Sequence, residues 1–368
     1  MHGPLRLLSE SGISIWLDDL SRERFSGGLE ELIATMHVVG VTTNPAIFSA
    51  AITKSDLYRH DIDELSAKGL DQHQIVRHLT TADVGRACDI FHPVYVTTQG
   101  VDGRVSIEVD PEFARDTERT IEQGISLWDE ISRPNLLIKV PATQEGLLAI
   151  EELTAHGISV NVTLIFTPGR YEEVIDAYLK GLERRVALGE RIDSIHSVAS
   201  FFVSRIDTEI DRRLKMSLSE QEFESLRGRA GIANAINAYE IFLNHRKSER
   251  WQGLARNGAR IQRPLWASTG VKDPAYSPTL YVDQLATPDS VNTMPENTLL
   301  AASRIEGGID LLVEGSARFD SAREHMSRLR DLGIEIEEVG ALLEAEGLEK
   351  FVTPWRDLHE QVRGIIGR

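Results

Sequence analysis

Cysteine is almost absent: Cys88 stands alone among 368 residues, which excludes an intramolecular disulfide and, with it, a disulfide-stapled secreted scaffold. Its setting, Gly85-Arg86-Ala87-Cys88-Asp89-Ile90, reads as ordinary helix and its thiol as a buried structural one. No run approaches the roughly 18 consecutive apolar residues of a membrane span, and the start Met1-His2-Gly3-Pro4-Leu5-Arg6 has no apolar core of secretory type. Basic charge is in deficit: 40 Lys and Arg face 57 Asp and Glu, for a net charge of −17. That balance argues against nucleic acid or a membrane surface as partner, and an anionic ligand would need a local basic pocket. These absences point to a cytoplasmic protein.

Other familiar signatures are missing as well. No Gly-x-Gly-x-x-Gly follows a strand pattern, which leaves the open doubly wound sheet as the weaker of two α/β architectures. The 11 histidines contain no His-x-His or His-Glu-x-x-His, and His73 with His78 do not share a helix face, so no metal site is expected. No Pro/Gly/Ser-rich linker divides the chain, which is read as one domain, residues 1–368.

Short β-rich runs alternate with longer helical ones. The predicted strands are Ser14 to Leu17, Val38 to Thr42, Val105 to Val109, Leu136 to Val140, Ser159 to Ile165, Ser197 to Phe202, Pro264 to Ser268 and Ser290 to Met294. Between them lie amphipathic runs such as Phe113 to Ile131, with Phe113, Thr117, Ile121, Ile125 and Trp128 on one stripe, and Tyr171 to Val186. Eight strands alternating with helices predict a closed (β/α)8 TIM barrel. The stretches Asp56 to Ile90 and Glu220 to Asn244 read as helical insertions, and residues 316–366 as a C-terminal helical extension packed on the barrel.

Lys139 is the anomaly in this pattern. Leu136-Leu137-Ile138-Lys139-Val140-Pro141 is a buried-strand run with one amine in it, followed by a helix start at Gln144-Glu145-Gly146. A free ammonium, with a pKa of about 10.4, is a poor nucleophile. An apolar surround disfavours the charged form and supplies the neutral amine that attacks a carbonyl. The plainer reading is a strand-end lysine whose stem covers apolar surface while its head reaches water.

Similar anomalies recur at the ends of seven successive strands: Asp18, Asn44, Glu108, Lys139, Asn161 with Thr163, Ser200 and Ser268. Each has a plain alternative: Asp18 and Asn44 as helix caps, Glu108 facing solvent, Ser200 and Ser268 as small packing residues. At one end of a barrel, however, they converge on one pocket. Their chemistry is complementary there, an amine beside carboxylates that move protons and donors that hold hydroxyls, as Schiff-base cleavage of a carbon–carbon bond requires.

Gly40-Val41-Thr42-Thr43-Asn44-Pro45-Ala46-Ile47-Phe48 and Leu137-Ile138-Lys139-Val140-Pro141-Ala142-Thr143-Gln144-Glu145-Gly146-Leu147 resemble the two signatures of the transaldolase family. Arg104 to Asp110 and Asn161 to Phe166 are similar to two more of its strands, and the match runs from about Ser14 to Met294. The resemblance implies transfer of a dihydroxyacetone unit from sedoheptulose 7-phosphate to glyceraldehyde 3-phosphate in the pentose phosphate pathway, giving erythrose 4-phosphate and fructose 6-phosphate. By motif position it implies Lys139 as the Schiff-base amine, Glu108 acting through a water held partly by Thr163, and Asp18 moving the proton of the substrate hydroxyl. Asn44, Asn161 and Ser200 would grip the three-carbon unit. No metal or organic cofactor is implied, because the iminium is the electron sink. Monomer or homodimer is the expected assembly.

At the phosphate end, Phe201-Phe202-Val203-Ser204-Arg205 resembles the family's strand-six segment and implies Arg205 as a phosphate ligand, a task suited to its bidentate geometry. After strand seven, Ala267-Ser268-Thr269-Gly270-Val271-Lys272 departs from the family pattern: Gly270 stands where a second arginine is expected. Ser268 still contributes on this reading, and Lys272 supplies the missing charge. Two other readings are a fructose 6-phosphate aldolase of the same superfamily, which carries Gln and Tyr where this chain has Glu108 and Phe202, and a non-catalytic sugar-phosphate-binding barrel.

Overall fold

The computed structural model describes residues 3–306 and 308–367; Met1 and His2 of the amino-terminal expectation lie outside them. Eight strands, β1 (Ile13–Leu17), β2 (Val38–Val41), β3 (Arg104–Glu108), β4 (Leu136–Pro141), β5 (Val160–Ile165), β6 (Ser197–Phe202), β7 (Arg263–Ala267) and β8 (Ser290–Met294), pair in sequence order and close into a barrel. Every pairing is parallel, including β8 with β1. The predicted strands agree with these to within one residue at either end. Helices surround the barrel, as the (β/α)8 expectation required, and no described helix is long and apolar enough to cross a membrane.

Closure explains the uniform burial of the strands. One face of each meets the helices and the other meets the barrel interior, so parallel strands read as near-continuous apolar runs. Inside, Trp16, Leu137, Val198, Leu265 and Val291 form an apolar layer. Gly40 makes room for it: a Cβ there would lie 2.6 Å from the Trp16 indole. Strand side chains repeat every two residues, so the next inward position on four of these strands brings Asp18, Lys139, Ser200 and Thr293 above that layer.

Side chains at the helix starts fix where each strand hands over to its helix. Asn44 Oδ1 accepts from Ile47 N at 3.0 Å ahead of the helix Pro45–Lys54. Thr143 Oγ1 accepts from Gly146 N at 2.9 Å, and Thr167 Oγ1 from Arg170 N at 3.2 Å. Proline in the first turn of the first and third of these helices removes a donor that has no partner there.

Three helical details differ from the sequence reading. The run from Phe113 is two elements, a 3-10 turn at Pro111–Phe113 and a helix at Thr117–Ile131, because Asp116 caps the latter. Its buried residues are Thr120, Gly124, Leu127 and Ile131, with Ile121, Ile125 and Trp128 only partly buried. The predicted stripe was therefore turned away from the true one, since broad apolar faces leave helix rotation to the docking surface. The insertion read as Asp56 to Ile90 contains Arg59–Ala67 and Gln72–Thr97, the latter continuing through Pro93, and that read as Glu220 to Asn244 divides into Glu220–Leu226 and Ala230–Lys247.

The extension forms two helices, Arg318–Asp331 and Ile336–Ile366. The second packs against Pro45–Lys54, Gln72–Thr97, Ser204–Ser217 and β5. Its Val339, Leu343, Leu348 and Phe351 join the interior apolar cluster of the barrel. It therefore roofs the carboxyl end of the strands.

Candidate active site

Strand register puts the reactive groups side by side. Glu108 on β3 pairs with Lys139 on β4, and Lys139 with Asn161 on β5. Lys139 Nζ donates to the Thr43 carbonyl at 2.9 Å and lies 3.1 Å from Glu108 Oε2, both side chains almost wholly buried. The carboxylate beside the amine accords with the convergence read from the strand ends, and the Thr43 carbonyl is a further neighbour. Apolar composition along β4 reports its buried context, whereas the groups facing Nζ come from the neighbouring strand and the loop after β2.

Burial drives the Glu108 carboxyl above the usual carboxylate range, while the nearby Lys139 charge opposes the rise. Burial likewise raises the Asp18 carboxyl, and the Lys139 charge and the Thr42 hydroxyl pull it back. Asp18 follows β1 directly and accepts from Thr42 Oγ1 at 2.8 Å; that oxygen lies 2.7 Å from Thr293 Oγ1 on β8. A buried carboxyl raised above its ordinary range suits general acid–base work.

Asn161 and Ser200 are joined. Ser200 Oγ donates to Asn161 Oδ1 at 2.7 Å, and Asn161 Nδ2 donates to Ser106 Oγ at 2.9 Å. Thr163 Oγ1 is buried without a hydrogen-bond partner among the described residues. Asn44 does cap a helix, the plainer alternative for it, yet it also lines the cavity.

That cavity, about 160 Å³, is bordered by Asp18, Asn44, Lys139, Thr163, Ser200, Phe202, Arg205, Ser268 and Lys272. Asn161 reaches it through Ser200, and Glu108, paired with Lys139, lines a second cavity. That second cavity, about 270 Å³, is bordered by Ile107, Glu108 and Val109 and by the helices outside β3. It has no lysine on its walls, and the chemistry favours the smaller one.

Two cations border one side of the smaller cavity. Arg205 lies on the helix Ser204–Ser217, not on strand six. Its guanidinium is 5.1 Å from the Phe202 ring centre, and Nη1 is buried without a partner among the described residues. Burial lowers its pKa, opposed by the Glu346 and Asp18 charges. Ser268 adopts a left-handed backbone at φ 56°, with its hydroxyl 2.9 Å from that of Ser204. Lys272 is exposed and has no ion-pair partner among the described residues; a Cβ on Gly270 would lie 4.0 Å from its Nζ. An unpaired guanidinium and an exposed ammonium lining one cavity suit a phosphate.

Several contributors were missed from the sequence. Ser106 was legible in principle, being two residues before Glu108 on the same strand face. Thr42 lies within a quoted motif, and Thr293 at the end of β8 repeats the strand-end signal. Phe351, whose ring centre is 5.5 Å from Lys139 Nζ, carried no signal, because nothing local separates it from an ordinary core phenylalanine.

The model of the family described as Transaldolase/Fructose-6-phosphate aldolase matches residues 15–362. A protein named Transaldolase from Renibacterium salmoninarum is 55% identical over 360 residues, covering 98% of this chain and 96% of the relative. Transaldolases from Mycolicibacterium smegmatis and Mycobacterium tuberculosis are 51% and 52% identical, each spanning 98% of this chain and 97% of its own length.

Proposed function

We propose, for a chain that belongs to the transaldolase/fructose-6-phosphate aldolase family and is a transaldolase enzyme, that Lys139 is the nucleophile of a Schiff-base reaction. The donor on this reading is sedoheptulose 7-phosphate, the acceptor glyceraldehyde 3-phosphate, and the setting the pentose phosphate pathway of the cytoplasm. The observation that carries the proposal is that Lys139, on the wall of a cavity bordered by Arg205, lies 3.1 Å from the buried Glu108 carboxylate.

The amine adds to C2 of the ketose, and Glu108, acting through a water held by Thr163, carries protons as the carbinolamine loses water. Asp18 takes the proton of the C4 hydroxyl, the C3–C4 bond breaks, and its electrons pass into the iminium to give an enamine. The departing aldehyde leaves, an acceptor aldehyde enters, and C3 of the enamine attacks it. Asp18 returns its proton to the new hydroxyl, and water then releases the product ketose from Lys139. Asn44, Asn161 and Ser200 hold the hydroxyls of the three-carbon unit, with Phe202 beside it. Arg205, Ser268 and Lys272 bind the phosphate, and electrostatic stabilisation comes from groups already ordered before substrate arrives.

Borohydride reduction in the presence of fructose 6-phosphate tests the reading. The expected result is a mass adduct on Lys139 that is absent from Lys139→Ala; a folded protein that yields no adduct would refute it.

A further inference from the structure

Phe351 lies on the roofing helix Ile336–Ile366, only 4% exposed, with its ring 5.5 Å from Lys139 Nζ on the wall of the same cavity. Close seating of the helix holds it there. Gly347, one turn earlier, leaves no space for a side chain: a Cβ would stand 2.9 Å from Leu164 Cδ2 and 3.2 Å from Arg205 Nη1. One helix thus spans the cavity from its arginine to its amine. The polar strand-end groups already have positions in the reaction; this apolar face over the nitrogen does not.

We propose that Phe351 sets the partition between transfer and hydrolytic release by keeping water off the enamine after one aldehyde departs and before the next arrives. The proposal rests on the Schiff-base reading of Lys139. In that interval the enamine has two fates. In transfer, C3 attacks the acceptor carbonyl and a carbon–carbon bond forms. In release, a proton from water adds to C3 and regenerates the iminium; hydroxide then adds to C2, the C–N bond breaks, and dihydroxyacetone leaves with the amine restored. The net consumption is one water, with no redox change. An apolar ring above the nitrogen slows the second route by excluding its reactant.

The test compares dihydroxyacetone release from fructose 6-phosphate alone with transfer to erythrose 4-phosphate, in wild type, Phe351→Ala and Phe351→Leu. Expected is a release-to-transfer ratio raised at least about tenfold in Phe351→Ala and less in Phe351→Leu, with one solvent deuterium at C3 of the product in heavy water. The leucine variant carries the test if the alanine variant does not fold. Folded variants that form the borohydride adduct on Lys139 and keep the wild-type ratio overturn the role of Phe351 alone. Absence of the adduct from wild type overturns the underlying Schiff-base reading instead.

Discussion

At the amino-terminal end of the strands, Arg104 is buried with its donors engaged: Nε and Nη2 reach the Gly100 carbonyl at 2.9 and 2.5 Å, and Nη1 reaches the Pro134 carbonyl at 3.2 Å. Arg263 beside it donates to Ser14 Oγ, the Val101 carbonyl and Asp102. At the carboxyl-terminal end, Arg205 keeps a buried nitrogen unpaired, Thr163 a buried hydroxyl, and two carboxyls are held above their ordinary range. Both ends bury charge, but only one leaves it unsatisfied. Saturated groups hold the barrel closed, whereas a group kept from its partners is available to a ligand, at a cost in stability that the rest of the fold carries.

The sharpest way to break this contrast is Lys139→Met. Transaldolase activity of the folded protein should fall by at least about 10⁴-fold, and the melting temperature should drop because Glu108 is left buried without its ion-pair partner. A folded variant that keeps its activity would make the lysine structural. Arg104→Met should spare activity, costing about 3 kcal/mol in urea unfolding because two carbonyls lose their donors, with kcat of the folded fraction within about twofold of wild type.

A pH dependence at the lower end comes next. Burial, assisted by the Arg104, Arg260 and Arg263 charges, pushes His196 down to about 2. The unfolded chain therefore takes up this proton first as pH falls below about 6.5, so stability is full above that value and declines toward acid. His196→Gln should remove on the order of 2 kcal/mol of that decline between pH 6.5 and 4, with no change in activity. An identical acid profile in the variant would sink the assignment.

The smallest effect belongs to the exposed cation of the upper end. Lys272→Ala should raise KM for phosphorylated donors about tenfold and leave kcat nearly unchanged, because an exposed ammonium adds binding that is equal in ground and transition states. Unchanged affinity would leave Arg205 and Ser268 to hold the phosphate and would make Lys272 a solvated loop residue.

Much of the barrel was legible because its signals are local. Short, near-continuous apolar runs mark the strands, Asn44, Thr143 and Thr167 mark helix starts, and polar residues at strand ends stand out against Val, Ile and Leu. The stripe on Thr117–Ile131 was misjudged because its apolar face is broad and the docking surface chooses the rotation. The Thr43 carbonyl beside Lys139 was not legible for a related reason, since it arrives from the loop after β2 rather than from the lysine's own strand.

Sequence by itself determined the eight strands, the order of their strand-end residues and the two motifs that carry the family, since steric preference, side-chain alternation and capping act over a few residues. Tertiary structure decided which groups touch. Closure of β8 on β1 brings Thr293 to Thr42 and Asp18, and docking of the final helix sets Phe351 over Lys139. Such contacts join distant parts of the chain, where no local preference reaches and only packing of the whole barrel fixes the distance.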